Sequence, residues 1–471
     1  MIVVIASDVK APKYGTGRSC GRLKTDGLDD TVFRKVEIGL TPSTRGQKRR
    51  MLAGLDATRE VYNAALQERR DAYNHPSKTR VSAFDQFKAL TTVRQARPDV
   101  FAYGLAPLRA AIRRVDEAYA GFFRRVSAGQ TPGFPRFKSA ARYDTLAYDG
   151  TTSWSVNLET KTLYVQGIGD IRLSRSAVAQ LRRYAARGGT PATLTLTRTD
   201  RTGKTWRACI GMAGIGVERT EPTYGWESVA GVDRGIHVPM AVAGTDTFAT
   251  DAGTLLSVPA ETAARVSALR RRIEDLQRVR AGKKKYGRAW RSLSKQIKRT
   301  HGKIGHINQN WARHQAKALV ADYGVLAGEA LNLAAMSRSA AGTPANPGVN
   351  VAAKSGLNRA LAETALGQVM YWVHVKAEEA GRRTWTVPAP FTSQQCCRCG
   401  LVDAGNRDKL VFYCTGCGHY EHADVQAARN VRARALAAET AWAAAGRPGL
   451  TRPKPRLTRR KAGALALADA G

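Results

Sequence analysis

The sequence predicts a multidomain α+β protein in which a helical segment, a β-rich module and a mixed α/β domain with an inserted metal-binding ribbon follow one another. Three observations lead there. The chain has 471 residues, 43% of them apolar, which is enough for more than one core of ordinary domain size. Its texture changes from helical periodicity to short alternating runs near residue 140, then from Trp226 to isolated apolar runs separated by long helical stretches. Five of its seven cysteines, Cys396, Cys397, Cys399, Cys414 and Cys417, fall within 22 residues, while Cys20 and Cys209 stand alone. That is metal-site usage rather than a disulfide framework.

Residues 1–30 mix Gly, Asp, Lys and Ser without periodicity and are expected to form a disordered extension. Val32–Leu40 reads as a strand. Thr44 and Gln47 have the spacing of a capping box ahead of the apolar positions Met51, Leu52, Leu55, Tyr62 and Leu66. Helical patterning runs on to about Ser127, and over 105–126 the residues Leu108, Ile112, Val115, Tyr119 and one of Phe122 and Phe123 share a face. The Pro and Gly residues of 129–138 stop it.

Over 140–222, Thr193–Arg198 and Thr205–Met212 read as a hairpin turning at Asp200–Gly203. Apolar runs at Val229–Val232 and Val238–Val242 open the third region. Two helices flank the basic turn 281–288, a further helix spans Ile304–Ala321, and an apolar run spans Val325–Leu333. A loop at 339–350, a helix from about Leu357 to Ala380 and a strand at Thr384–Val387 precede the cysteines. A helix over Ala423–Ala445 follows them, and the basic tail 446–471 is expected to be disordered.

Charge narrows the partners. The net charge of +37, with a pI near 10.5, is far above the magnitude of roughly 2–8 usual for a small soluble domain, and it points to a polyanion. Residues 261–300 hold 14 Lys and Arg against three acids. Such one-signed bias favours a phosphate-facing surface over a merely solvated one, with Lys283, Lys284 and Lys285 at its turn. No window approaches the roughly 20 apolar residues of a membrane span, and Met1–Ala6 is too short for a signal peptide. The expected location is the cytoplasm, with no membrane partner.

Cys396 and Cys399 form one C-x2-C pair, Cys414 and Cys417 another, 14 residues apart, and Gly400 and Gly418 follow directly. Two such knuckles bring four thiolates to about 2.3 Å from one Zn²⁺ in a closed tetrahedral site. The gap is slightly shorter than the nominal ~15–20 residues. Cys397, His419 and His422 are alternative ligands. A site with no open position stabilises structure rather than catalysing.

Catalytic candidates are dispersed. Asp233 ends an apolar run in Gly231-Val232-Asp233-Arg234-Gly235, Glu329 ends Val325–Gly328, and Asp424 opens the helix after the cysteines, where an N-cap role is the alternative. Acids on a first strand, a later strand and a closing helix are what an RNase H-like fold uses to gather three carboxylates around two Mg²⁺. Two such ions roughly 3.5–4 Å apart promote phosphodiester hydrolysis.

These residues sit in segments that resemble the TnpB (OrfB) proteins of insertion sequences and the related compact type V CRISPR effectors. The carriers are Val61–Leu66, Phe122–Arg125 with Pro132–Lys138, GVDRGI at 231–236, GEALNL at 328–333, TSQQCCRCG at 392–400 and CTGCGHYEHADVQAARNV at 414–431. The resemblance spans about 32–440, and Gln426 departs from the family's usual Asn.

It implies an RNA-guided DNA endonuclease with guide RNA and target double-stranded DNA as partners. Its single RuvC-like site would use Asp233, Glu329 and Asp424 with two Mg²⁺, and Cys396, Cys399, Cys414 and Cys417 would hold one structural Zn²⁺. An occupancy-only, repressor-like DNA binder is the alternative. Oligomeric state does not follow from it.

The implied domains are a helical recognition lobe at 41–138, a β-barrel-like wedge module at 31–40 and 139–222, an RNase H-like (RuvC) nuclease domain at 223–390 and 421–445, and a zinc ribbon at 391–420. In such systems base pairing reads the target while the protein reads a short adjacent motif. Arg59, Asn63, Arg124, Arg125, Arg136 and Lys138 are candidate nucleic-acid contacts, with Lys376 lining the nuclease cleft by analogy. Tyr62, Phe122 and Phe123 read as packing residues.

Overall fold

In a computed structural model, the structure describes residues 31–244, 253–343, 345–364 and 366–445. The expected extension at 1–30, with Cys20, and the tail at 446–471 lie outside the described residues. The chain divides into two compact units that meet in sequence between Gly216 and Val217.

The first unit runs β1 (Thr31–Leu40), α1 (Arg45–Asn74), α2 (Ala83–Ala96), α3 (Pro98–Phe101) and α4 (Leu105–Ser127). It continues with β2 (Thr145–Asp149), β3 (Trp154–Asn157), β4 (Thr162–Val165), β5 (Gly169–Arg172), α5 (Arg175–Ala185), β6 (Thr190–Arg198) and β7 (Trp206–Gly216). Thr44 caps α1 by accepting from the Gln47 backbone N–H, but the Gln47 side chain accepts from Ser43 rather than Thr44, so the box closes one residue early. Met51, Leu55, Tyr62 and Leu66 of α1 and Leu108, Ile112 and Val115 of α4 are buried, whereas Phe123 is exposed.

The strands form two sheets, β1-β7-β6-β2 and β3-β4-β5, all antiparallel. Neither closes on itself. The barrel-like expectation is therefore corrected to two open sheets, because the four-residue strands β3, β4 and β5 pair only as their own meander. Sequence reading also missed α5, an eleven-residue helix capped by Ser174 with Ala177, Val178 and Leu181 buried. Its apolar stripe is too short to stand out among strands.

The second unit runs β8 (Val229–Asp233), β9 (Met240–Ala243), β10 (Thr254–Leu256), α6 (Ala260–Ala281), α7 (Arg288–Asp322), β11 (Val325–Glu329), α8 (Leu333–Met336), α9 (Val351–Glu363), α10 (Leu366–Glu379) and β12 (Arg383–Val387). The short strands β13 (Arg407–Asp408), β14 (Val411–Tyr413) and β15 (Tyr420–His422) then precede α11 (Ala423–Ala444). The main sheet has the order β10-β9-β8-β11-β12, antiparallel from β10 to β8 and parallel from β8 through β11 to β12.

Strand parity sorts its two faces. Ala230, Val232 and Leu326 pack with Trp311, Ala316 and Leu319 of α7 and Val369 and Val373 of α10. Val229, Val325, Ala327 and Val387 pack with Val431 and Ala435 of α11. Gly231 lies under α11 so closely that a Cβ there would drive into the Ala428 carbonyl oxygen.

Two helices differ from expectation. The expected helices on either side of residue 302 are one 35-residue helix, α7. Gly302 and Gly305 cost about 1 kcal/mol each in a helix interior, and burial of Ile297, Ile304, Trp311 and Ala312 carries the helix through them. The expected helix from Leu357 to Ala380 is instead α9 and α10, broken at Thr364, where the backbone turns extended. Among the described residues, no helix is long and apolar enough to cross a membrane.

Candidate active site and metal centre

In β8, residues 229, 231 and 233 share the face covered by α11, and in β11 residues 325, 327 and 329 do the same. The parallel register pairs Val232 with Gly328, so one further step sets Glu329 beside Asp233. Asp424 is the second residue of α11, on the helix that lies over this face. His422, not Asp424, is the N-cap, its Nδ1 accepting from the Asp424 backbone N–H at 3.2 Å. That frees the Asp424 carboxylate from capping. The three acids are 7%, 7% and 4% exposed.

Burial, and after it the charges of Glu329 and Asp424, push the Asp233 carboxyl up to about 7, against the opposing pull of the Arg234 backbone N–H and the Arg407 charge. Burial also raises Glu329, opposed by the Thr392 hydroxyl, which donates to Oε1, and by Arg234, Arg434 and Arg407. Arg407 donates to Asp424 Oδ1 at 3.1 Å. It is thus a cation acting on all three acids, and sequence reading missed it because it arrives from the hairpin between the cysteine pairs, far from every motif acid. Arg234, within the GVDRGI segment, is spent on backbone carbonyls, donating to Glu329 at 2.6 Å and Leu366 at 3.0 Å. A pocket of about 490 Å³ lined in part by Gly235, His237, Arg407, Lys409 and Asp424 opens onto the third acid.

Asp233 and Glu329, buried with raised affinity for protons, form with Asp424 a site that a cation would complete, and an all-carboxylate donor set fits Mg²⁺. The oxygens do not all lie within 4.8 Å of one another. This is a wider array than the compact cage of a single ion.

The cysteine centre is closed. All four sulfurs lie within 4.8 Å of one another, with Cys396 Sγ to Cys417 Sγ at 3.7 Å and Cys399 Sγ to Cys414 Sγ at 3.5 Å. A tetrahedron with Zn–S bonds of about 2.3 Å has edges of about 3.8 Å, so the cluster suits a structural Zn²⁺. Gly400 and Gly418 take φ of +79° and +70°, the left-handed turn that closes each knuckle. Burial raises the Cys414 thiol, but the backbone N–H groups of Cys417 and Gly416 outweigh it and hold the thiol at about 6, which favours the ligating thiolate.

The remaining candidates separate. Lys376 is half-buried and donates to Glu379 at 2.6 Å within α10, while the cations acting on Asp233 and Glu329 are arginines. Asn63 holds the Lys138 backbone, donating to its carbonyl at 3.0 Å and accepting from its N–H at 2.9 Å, so its amide is engaged within the fold rather than extended toward a ligand. Arg59 pairs with Asp56 at 3.3 Å, and Arg125 donates to the Gly133 carbonyl at 3.2 Å. Arg124, Arg136, Lys283, Lys284 and Lys285 are exposed. His422 is taken up by capping, and Cys397 faces away from the four-thiolate cluster toward His419.

A family model described as the Cas12f1-like TNB domain matches residues 367–431, from α10 through the cysteines into α11. InsQ of Escherichia coli (strain K12), provisionally named an RNA-guided DNA endonuclease, is 27% identical over 334 residues, 69% of this chain and 73% of its own. A protein of Streptomyces pristinaespiralis, provisionally given the same activity name, is 23% identical over 386 residues, 81% of this chain and 84% of its own. The chain of a Cas12f1–sgRNA–target DNA complex solved by cryo-EM superposes with a TM-score of 0.51 at 15% identity, over 82% of each chain.

The chain thus has a mixed α+β, multidomain fold that resembles that of Cas12 effectors, with a four-cysteine cluster suited to a zinc ribbon. In sequence the chain is similar to the TnpB/Cas12f-like RNA-guided endonucleases.

Proposed function

We propose that this chain is an RNA-guided DNA endonuclease that binds a structured guide RNA, reads a short target-adjacent motif and cuts guide-matched DNA in one RNase H-like (RuvC) site. The observation that carries the reading is the convergence of Asp233, Glu329 and Asp424 on one face of a partly parallel sheet under α11, buried and electrostatically coupled. Likeness to relatives provisionally named RNA-guided DNA endonucleases supplies the substrate class.

In this reading Asp233, Glu329 and Asp424 hold two Mg²⁺, which supply Lewis-acid stabilisation of the phosphoryl oxygens and a water of lowered pKa. Thr392 fixes one oxygen of Glu329, and Arg407 orients Asp424 while limiting the repulsion among the acids. The helices over 41–138 serve as the recognition lobe and the strands at 31–40 and 139–222 as the wedge. The sheet unit at 223–390 and 421–445 serves as the nuclease domain, and 391–420 as the ribbon.

Asp233→Ala is expected to abolish Mg²⁺-dependent cutting of a guide-matched duplex while RNA-dependent DNA binding persists. Full cutting by that variant would overturn the site assignment. Wild-type binding without cutting would point instead to action by occupancy.

A further inference from the structure

Cys397 follows a zinc-type ligand in sequence, but its sulfur turns the other way. It lies 3.7 Å from His419 Nε2. His419 directly precedes β15 and Glu421 lies within it, so the i, i+2 spacing puts both side chains on one face of that strand. Glu421 Oε2 is 3.6 Å from the same nitrogen. The sulfur, the nitrogen and a Glu421 oxygen all lie within 4.8 Å of one another. Gln426 Oε1 lies 3.2 Å from that nitrogen as well, so a sulfur and two oxygens surround one imidazole nitrogen, the Glu421 oxygen beyond ordinary N–H···O reach.

We propose that Cys397, His419 and Glu421 form a second metal site for a zinc-type divalent cation, beside the four-cysteine centre. Bond lengths of about 2.3 Å to sulfur and about 2.0–2.2 Å to nitrogen and oxygen, in tetrahedral directions, give edges of about 3.5 Å for S···N and about 3.4 Å for N···O. The distances in the structure, 3.7 Å and 3.6 Å, stand within a few tenths of these values, as the four-cysteine edges stand to theirs. A mixed sulfur, nitrogen and oxygen set suits zinc rather than Mg²⁺.

Arg429 donates to both Glu421 oxygens, at 2.9 and 3.0 Å. A carboxylate has lone pairs for a cation and an arginine together, so Arg429 orients the ligand as an outer partner does. Gln426 donates to the Gln395 carbonyl at 2.7 Å, which aims its Oε1 at the same point; that oxygen or a water fills the fourth position. Such an ion ties the first knuckle and β15 to α11, the helix that begins one residue before Asp424.

The full-length chain, equilibrated with Zn²⁺ and freed of loose metal, is expected to hold two zinc ions by elemental analysis, and Cys397→Ser and His419→Gln one each. Co²⁺ added to the one-zinc wild type should give a thiolate-to-cobalt absorption band that Cys397→Ser lacks. Unchanged thermal midpoints of both variants in chelator would show that the lost ion is not lost fold. A wild type that holds one zinc at saturating Zn²⁺, as the variants do, and shows no band dependent on Cys397 would overturn the site, whatever the chain's nuclease activity.

Discussion

The four cysteines and the three acids of the second unit are built on opposite plans. The cysteines are local: two knuckles and a hairpin, all within 22 residues, bring four sulfurs to tetrahedral separations with no position left for solvent. The acids are dispersed over nearly 200 residues of chain, spread wider than the sulfurs, and the third of them, Asp424, lines a pocket. In the closed centre a bound Zn²⁺ would neutralise the thiolates, with backbone N–H groups already turned toward Cys414. Arg407 offsets all three acids, yet Asp233 and Glu329 keep raised affinity for protons, and hence for cations. Locality and closure go with structure; dispersion and openness go with chemistry.

The sharpest break in this comparison is Cys414→Ala. Structural zinc sites contribute on the order of 10 kcal/mol to folding their surroundings, so the variant should lose its zinc, soluble yield and cutting together. Glu329→Gln should keep zinc and fold but cut at least about 100-fold more slowly in Mg²⁺, as single-turnover cleavage would show.

The acids should also betray themselves in the metal-free protein. The folded-state pKa of Asp233, about 7, is raised above its unfolded value, so this carboxyl's contribution is fully present below about pH 4 and is lost as pH rises through 7. The loss is of the order of 4 kcal/mol. In chelator the thermal midpoint should therefore fall between pH 5 and pH 8, Asp233→Asn should flatten that fall, and Mg²⁺ at pH 8 should reverse it. A midpoint insensitive to Asp233→Asn would show that the acids do not repel.

Gly231→Ala forces α11 away from β8 at a cost of roughly 1–3 kcal/mol, and should slow cutting while leaving zinc content unchanged. The smallest effect is expected from Arg407→Ala, about a tenfold loss at neutral pH with the acid limb of the pH–rate profile moved upward, since the charge that holds the carboxylates ionised is gone; Arg407→Lys should restore most of both.

Much of the site is legible in sequence because strand ends are. Asp233 and Glu329 close five-residue apolar strands, and a period of two sets the face on which they lie once the strand start is known. The cysteines announce themselves by spacing. Arg407 does not, because nothing near it in sequence marks it; only the fold of the β13–β14 hairpin brings it to Asp424. For Lys376 the sequence offers only analogy, and it does not announce the ion pair with Glu379 three residues further along α10. The break between α9 and α10 is also hidden, since apolar residues continue across the sequence there while the backbone at Thr364 turns extended.

Strand parity has a consequence for how such a chain can vary. Asp233 and Glu329 face α11 because each lies an even number of residues from its strand's first paired position. One residue inserted into either strand would turn its carboxylate toward the apolar layer of α7 and α10, exchanging every side chain between faces at once. Insertions and deletions are thus barred from β8 and β11, whereas the exposed Lys283–Lys285 turn between α6 and α7 imposes no such arithmetic. Length variation among functional relatives should collect at that turn and be absent from the two strands.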